Sequence, residues 1–142
     1  MPYPAVEIVE EVPLGGQDTT LTSTGSKTYR LSRDCYVLGI VARVTTDIVG
    51  PTTLPIVDVA VADNGGGNLT SVASISFTAD DGAGERREEM ATAPAFVDAS
   101  AGRIVQLRVT QAASGTGAQG AAQLYALIRY ANEANLAPGY TE

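Results

Sequence analysis

The chain has 142 residues, of which 44% are hydrophobic and 18% are charged, and its formal net charge at pH 7 is -7. This length and composition are typical of one compact globular domain and argue against wholesale disorder. The acidic balance opposes the phosphate neutralisation on which most nucleic-acid binding depends. We therefore do not expect DNA or RNA as a ligand.

The residue types available for chemistry are few. The chain has no histidine, which removes catalytic triads, an imidazole base and histidine-containing zinc sites. The single cysteine, Cys35, excludes an intrachain disulfide and lies in the apolar run CYVLGIVARV, where we expect a small buried side chain. Paired carboxylates remain, but without tryptophan they are a poor basis for a sugar-cleaving site. We expect no catalytic residue, no cofactor and no metal.

The first residues, MPYPAVEIVEEVP, lack the basic and continuous apolar regions of a signal peptide. No apolar run is long enough to span a membrane, so we expect synthesis in a cytoplasm and no membrane partner. Pro2, Pro4 and Pro13 favour a semi-extended arm or an edge strand over residues 1–18, because proline cannot donate to the ladder of a central strand.

Short apolar runs, separated by Gly, Pro, Asn, Asp and Ser, predict an all-β protein rather than βαβ units. We predict one antiparallel β-sandwich of about eight strands, similar to a jelly roll, over residues 19–131. An extended N-terminal arm precedes it, and a short C-terminal tail follows at 132–142. The candidate strands are Val6 to Val12, Thr19 to Thr22, Lys27 to Leu31, Tyr36 to Thr45, Ile56 to Ala62, Val72 to Thr78, Arg86 to Thr92, Arg103 to Gln111 and Gln123 to Ala131.

Alternation along the strands assigns their faces. Tyr36 to Val44 and Gln123 to Tyr130 have apolar side chains on both faces, and apolar groups on a nominally exposed face are candidate contacts with another subunit. On this ground the predicted subunit contacts are Val37, Val41, Tyr125 and Leu127. The residues predicted to face the core are Val57, Val59, Val61, Val105, Leu107 and Val109.

Two segments carry further structural predictions. The runs IVQLRVT and AQLYALIRYA, joined by the loop AASGTGAQGAA, predict a β-hairpin from Arg103 to Tyr130. The segment Glu85 to Ala93 contains good helix formers, so one or two turns of helix in a crossover loop compete there with a strand from Arg86 to Thr92. Its charged run ERREEM forms either a solvated face or a salt-bridge patch between subunits.

Two loops are rich in side-chain oxygens. ADNGGGN, from Ala62 to Asn68, is predicted to be the tip of a hairpin between Val61 and Leu69, and TADDGAG, from Thr78 to Gly84, a loop of the same kind. Both lack the ligand spacing and the terminal bidentate glutamate of a calcium loop, although calcium binding remains an alternative. The other glycine pairs show no phosphate-binding loop.

The order of these features resembles small jelly-roll decoration, or cement, proteins of tailed-bacteriophage capsids. The residues that carry the resemblance are the arm PYPAVEIVEEVP, the run TYRLSRDCYVLGIVARV and the closing segment AGRIVQLRVTQAASGTGAQGAAQLYALIRYA. The resemblance implies a non-enzymatic virion protein that binds the outside of an icosahedral shell, often as a trimer, and clamps neighbouring capsomers. The implied partners are the major capsid protein and other copies of this chain.

Under this resemblance, residues of the two termini contact the shell. The expected capsid contacts are Pro2, Tyr3, Pro4 and Tyr140. The alternative is a receptor- or carbohydrate-binding β-sandwich module of a phage tail fibre or baseplate, which is favoured by the same fold and by the Asp/Asn/Gly loops.

Overall fold

The computed structural model describes residues 12–63 and 67–131, which form eight β-strands and one short 3-10 helix, Ala99–Ala101. The helix is capped by Asp98, whose carboxylate accepts hydrogen bonds from the backbone N–H groups of Ser100 and Ala101. The strands are β1 (Val12–Thr20), β2 (Gly25–Arg30), β3 (Cys35–Val49), β4 (Ile56–Ala62), β5 (Thr70–Ser76), β6 (Arg86–Val97), β7 (Ile104–Gln111) and β8 (Gln119–Tyr130).

The strands form two antiparallel sheets of four strands. Sheet A has the order β1-β8-β3-β6, and sheet B has the order β2-β7-β4-β5. The chain pairs β1 with β8, β2 with β7, β3 with β6 and β4 with β5, so each pair is nested inside the previous one. This is the pairing of one long hairpin rolled into a two-sheet jelly roll. The predicted all-β sandwich is confirmed.

The core lies between the two sheets. The three valines of β4 predicted to face inward, and Val105, Leu107 and Val109 of β7, belong to one buried apolar cluster. From sheet A the same cluster receives Leu124, Ala126 and Ile128 of β8. A shift of one residue in any of these strands would turn its apolar set toward water, so the core fixes the register.

The hairpin predicted from Arg103 to Tyr130 is wrong. β7 pairs with β2 and β4 in sheet B, whereas β8 pairs with β1 and β3 in sheet A. Residues 112–118 therefore cross from one sheet to the other, and Ser114 is held there by a bridge to Thr53. The crossing lets the apolar faces of β7 and β8 meet across the core, whereas hairpin partners would have placed them side by side in one sheet.

The helix considered for Glu85 to Ala93 is also wrong, because β6 is a strand from Arg86 to Val97 that pairs with β3. The strand alternative for Arg86 to Thr92 is confirmed. Local helix propensity is a weak preference of a few tenths of a kcal/mol per residue, and pairing along a whole strand overrides it.

The predicted outward direction of Val37 is wrong because β3 contains a bulge. The register of β3 shifts between Val37 and Gly39 against both of its neighbours; relative to β8, β3 has one extra residue there, and this residue reverses the alternation of faces. Val37 and Ile40 therefore share the inner face, and both are fully buried in the core. The side chain of Val37 is not available to another subunit.

The predicted arm or edge strand, residues 1–18, is described only in part. Val12–Asp18 belong to β1, which is an edge strand of sheet A. Residues 1–11 and 132–142 lie outside the described residues, and with them the predicted capsid contacts Pro2, Tyr3, Pro4 and Tyr140.

Candidate functional site

The candidate site is the side of sheet A that points away from the core, called here the outer face of sheet A. It carries two of the large apolar side chains that are exposed among the described residues, Met90 and Phe96, each 42% exposed. Cross-strand pairing arranges the face in four rows, namely Phe96, Tyr36 and Arg129; Met90, Gly39, Leu127 and Pro13; Glu88, Val41, Tyr125 and Gly15; and Arg86, Arg43, Gln123 and Asp18. One end of the face is therefore apolar and the other is charged.

The apolar end is built around Tyr36 on the central strand β3. The rings of Tyr36 and Phe96 lie 5.2 Å apart, centroid to centroid, with planes tilted by 55°. The guanidinium carbon of Arg129 lies 5.0 Å from the centre of the Tyr36 ring, within the range of a cation–π contact. These contacts order the three side chains while leaving Phe96 accessible, as a contact surface for another protein requires.

Tyr125 and Leu127 lie in the middle of the face, so their predicted outward direction is confirmed. The ring of Tyr125 lies against Gly16 of β1, where a Cβ atom would be 3.3 Å from the nearest ring carbon. Its hydroxyl donates a hydrogen bond to Oε1 of Gln123 at 3.3 Å. Val41 lies directly between Tyr125 and Glu88 but is only 6% exposed, so it can add little contact area.

The charged end places two arginines opposite each other, Arg43 on β3 and Arg86 on β6. Arg86 is compensated by an ion pair with Glu88 at 2.8 Å. Within residues 12–63 and 67–131, no carboxylate lies within ion-pair distance of Arg43. Like charges on directly opposed residues repel, so an acidic group from a partner would be favoured beside Arg43.

The neighbouring Arg87 has a role inside the chain. Its guanidinium forms an ion pair with the buried carboxylate of Asp81 at 2.6 Å and donates to the carbonyl of Ser76. Asp81 also accepts from the backbone N–H of Thr78 at 2.7 Å. Arg87 therefore fastens the loop between β5 and β6 to the sheet, and the salt-bridge patch between subunits stays a prediction for the remaining charges of ERREEM.

The loop from Ala62 to Asn68 joins β4 to β5, so the predicted hairpin tip is confirmed. Nδ2 of Asn68 donates to Oδ2 of Asp63 at 2.5 Å, and Arg103 lies 3.7 Å from the same carboxylate group. Across the described ranges there is no cluster of three or more His, Cys, Asp or Glu side chains suited to holding a metal ion. Residues 64–66 of the tip lie outside these ranges.

The outer face of sheet B has a different chemistry. Arg108 on β7 donates from Nε to Oδ1 of Asp58 on β4 at 2.8 Å and forms a second bond from its terminal nitrogen to Oδ2. The hydrogen bond and the charge of Asp58 raise the pKa of Arg108. Beside this pair, Gln106 donates to the hydroxyl of Thr28. The polar groups in this part of sheet B satisfy each other, so the outer face of sheet A is the stronger candidate for binding a partner.

Sequence reasoning found Tyr125, Leu127 and Val41 but missed Tyr36, Met90, Phe96 and Arg43 as members of the same face. The predicted strand ended at Thr92, so Phe96 lay outside it, whereas β6 continues to Val97 and carries Met90 and Phe96 on the same face. The available signal was the pair of large apolar residues at the two ends of a polar, alanine-rich run.

The described residues include no helix that is both long and apolar enough to cross a bilayer.

Comparison with known proteins gives only distant similarity. No family model matches the chain, and no curated protein matches it. A T13 particle of infectious bursal disease virus contains a chain that is 16% identical, with a TM-score of 0.38, over 89% of this chain and 30% of that one. Structures of the Gx and Gt strains of the same virus are 13% identical, with TM-scores of 0.33 and 0.32, over 91% of this chain.

The chain spans 30–37% of the length of these viral chains. A likeness at this level leaves function to be inferred from the outer face of sheet A.

Proposed function

We propose that the protein is a non-enzymatic structural protein of a virion, which decorates and stabilises a bacteriophage capsid by binding its outer shell as a trimer. The observation that carries the proposal is the outer face of sheet A. A sandwich that acts alone solvates the outer faces of its sheets with polar side chains. Here an aromatic cluster and Met90 are accessible, and Arg43 at the other end of the same face has no ionic partner among the described residues.

The contact between copies uses the middle rows of this face, around Tyr125 and Leu127, with a smaller share from Val41. The face is not self-complementary, because one end is aromatic and the other carries opposed arginines. A cyclic trimer has a heterologous interface, in which one patch meets a different patch of the next copy, and this suits such a face. The surface that it meets should offer an apolar area and a carboxylate for Arg43.

The contact with the shell is assigned to the terminal residues Pro2, Tyr3, Pro4 and Tyr140, with the major capsid protein as partner. In this proposal the protein is made in the host cytoplasm and acts on the capsid exterior. Decoration at a junction between capsomers would stabilise the shell by mass action, because the protein binds the assembled state and not the separated subunits.

The test is binding to purified expanded capsids that lack the protein. Saturable, stoichiometric binding and a higher capsid melting temperature are expected, together with a trimer mass by light scattering. Met90→Glu, at an exposed position in the middle rows, should abolish the trimer and weaken binding, whereas Ser71→Glu, at an exposed position on sheet B, should preserve both. Absence of saturable binding by the unmodified protein would overturn the proposal, and a glycan-array signal with a location at the tail would favour the receptor-binding alternative.

A further inference from the structure

The two sheets leave a cleft of about 250 Å³ between their edge strands β1 and β2. Leu107, Val109 and Leu124 line its apolar part, and Asp18 and Lys27 are among the polar residues around it. The cleft is bordered by the free edges of both sheets, and unpaired strand edges are templates for an added strand. Within the described part of the chain nothing pairs with the outer edge of β2.

Three successive inward positions of β2 differ in shape and charge. Gly25, Lys27 and Tyr29 pair with the core-facing residues of β7 and therefore point to the same side. Tyr29 packs on the core, Lys27 is exposed without an ionic partner in the described residues, and a Cβ atom at Gly25 would meet nothing within 4 Å. An inward lysine on an edge strand is by itself a device against unwanted pairing. The space at Gly25, next to the apolar lining of the cleft, is a second feature, because a side chain of an added strand could occupy it.

A strand that fits this edge needs a small residue opposite Tyr29, an acidic residue opposite Lys27 and a larger apolar residue opposite Gly25. The chain contains this order at Ala5, Glu7 and Val9. The surrounding residues 1–11 hold three glutamates and no lysine or arginine, which complements the unpaired ammonium group. We propose that the edge of β2 accepts residues 5–9 of a second copy as an added antiparallel strand.

The antiparallel direction of the added strand follows from the sizes of its side chains. In the antiparallel register Val9 fills the space at Gly25 and Ala5 meets the ring of Tyr29, whereas a parallel strand would place alanine over the gap and valine against the ring. Cross-strand pairs of opposite charge stabilise a sheet, so the pair of Glu7 and Lys27 fixes the register. Pro4 ends the added strand, because it has no N–H to donate.

The length of the chain requires a second copy. Val9 is three residues from Val12, a separation that an extended chain covers with at most about 11 Å. Val12 begins β1, and Thr20, which lines the same cleft as Gly25, lies about 26 Å further along that strand. Val9 of the same chain does not reach Gly25.

This inference does not depend on the virion role and is tested with purified protein alone. Protein carrying Val9→Cys is mixed with protein carrying Gly25→Cys, and the mixture is mildly oxidised. A disulfide-linked dimer of the two variants is expected on a non-reducing gel. The native Cys35 should not interfere, because it is fully buried and burial raises its pKa to about 11. The matched control mixes Ala5→Cys with Gly25→Cys, which the antiparallel register keeps apart.

Charge exchange provides a second measurement. Lys27→Glu and Glu7→Lys should each lower the yield of the linked dimer by about fivefold, and combining them should restore it. Monomer alone after oxidation, equal linking through Ala5→Cys, or no rescue by the combined charge exchange would each overturn the proposal.

Discussion

Asp58 and Arg108 place opposite charges on neighbouring central strands of sheet B, where both side chains are largely removed from water, with 5% and 22% of the side chain exposed. Desolvation of a carboxylate and a guanidinium opposes folding, and the bidentate bond offsets that term when both groups are present. The pair also joins β4 to β7 in one register, since Asp58 lies directly opposite Arg108.

Removing one member of the Asp58–Arg108 pair should therefore destabilise the fold more than replacing both. Asp58→Ala should lower the free energy of unfolding by about 2–4 kcal/mol, because Arg108 keeps its charge without a partner. The double variant Asp58→Leu with Arg108→Met should be less destabilised, since apolar side chains need no compensation. Urea denaturation of the three proteins measures this order, and a double variant less stable than Asp58→Ala would contradict it.

Cys35 makes stability depend on pH in the alkaline range. Burial and, secondarily, the negative charge of Asp34 raise its pKa from 9.0 to about 11 in the folded chain. Above pH 9 the unfolded chain loses this proton while the folded chain keeps it, so the free energy of unfolding falls between pH 9 and pH 11, by roughly 2–3 kcal/mol. Below pH 9 the contribution is complete.

The measurement is the difference between the unmodified protein and Cys35→Ala in urea denaturation from pH 8 to pH 11. Tyrosine and lysine titrations are common to both proteins and cancel in that difference. Cys35→Ala should be less stable at pH 8, and the gap should narrow as the pH rises. Parallel profiles would show that the thiol does not titrate differently in the two states.

At the scale of elements, the bulge of β3 brings its backbone unusually close to β6. A Cβ atom at Gly39 would lie 2.5 Å from the carbonyl oxygen of Glu89 and 2.9 Å from the Cα of Met90. Both obstacles are backbone atoms that cannot rotate away. The glycine therefore allows the bulge, and the bulge gives Val37 to the core and Val41 to the outer face.

Gly39→Ala should lower the free energy of unfolding by about 1–3 kcal/mol, as expected when atoms are forced into a packed site. The matched control is Gly67→Ala, away from the edge of β2, where the added methyl group meets nothing within 4 Å and the change should stay within about 0.5 kcal/mol. Thermal unfolding by circular dichroism compares the two. Equal melting temperatures would mean that β6 moves aside without loss.

Alternation of apolar and polar residues predicted the bounds and the inward face of single strands. It did not predict which strands pair, because pairing depends on segments that are distant in the sequence. Ile56 to Ala62 was predicted with its observed bounds and its inward valines. The partner of β8 was not predictable from IVQLRVT and AQLYALIRYA, because the same alternation suits two strands of one sheet and two strands of facing sheets. The site was predictable through Tyr125 and Leu127, whereas Phe96 became a member only through its pairing with Tyr36.

At the scale of the whole molecule, nested pairing orders the contacts by separation along the chain. The innermost pair joins Val61 to Thr70, and the outermost joins Val12 to Ile128. Closing a longer loop carries a larger entropic cost, so contacts between β4 and β5 should form before those between β1 and β8.

Mutations in early and late contacts should therefore change different rate constants, that of refolding or that of unfolding. Val59→Ala, in β4, should mainly slow refolding, and Ile128→Val, in β8, should mainly speed unfolding. Stopped-flow tyrosine fluorescence over a range of urea concentrations measures both the refolding and the unfolding rate constant. If Ile128→Val slowed refolding in proportion to its loss of stability, β8 would already be formed in the folding transition state, and this order would be contradicted.

The nested pairing also gives the molecule two poles. Val12 and Ala131, the first and last described residues, lie at one end of sheet A, where Val12 pairs with Ile128 and the N–H of Ala131 donates to the carbonyl of Asp34. Leu21 and Ala113 meet at the other end, joined by a backbone hydrogen bond of 2.8 Å. The described chain therefore enters β1 and leaves β8 at the same pole, so in a lattice of copies oriented alike both of these ends lie on one side.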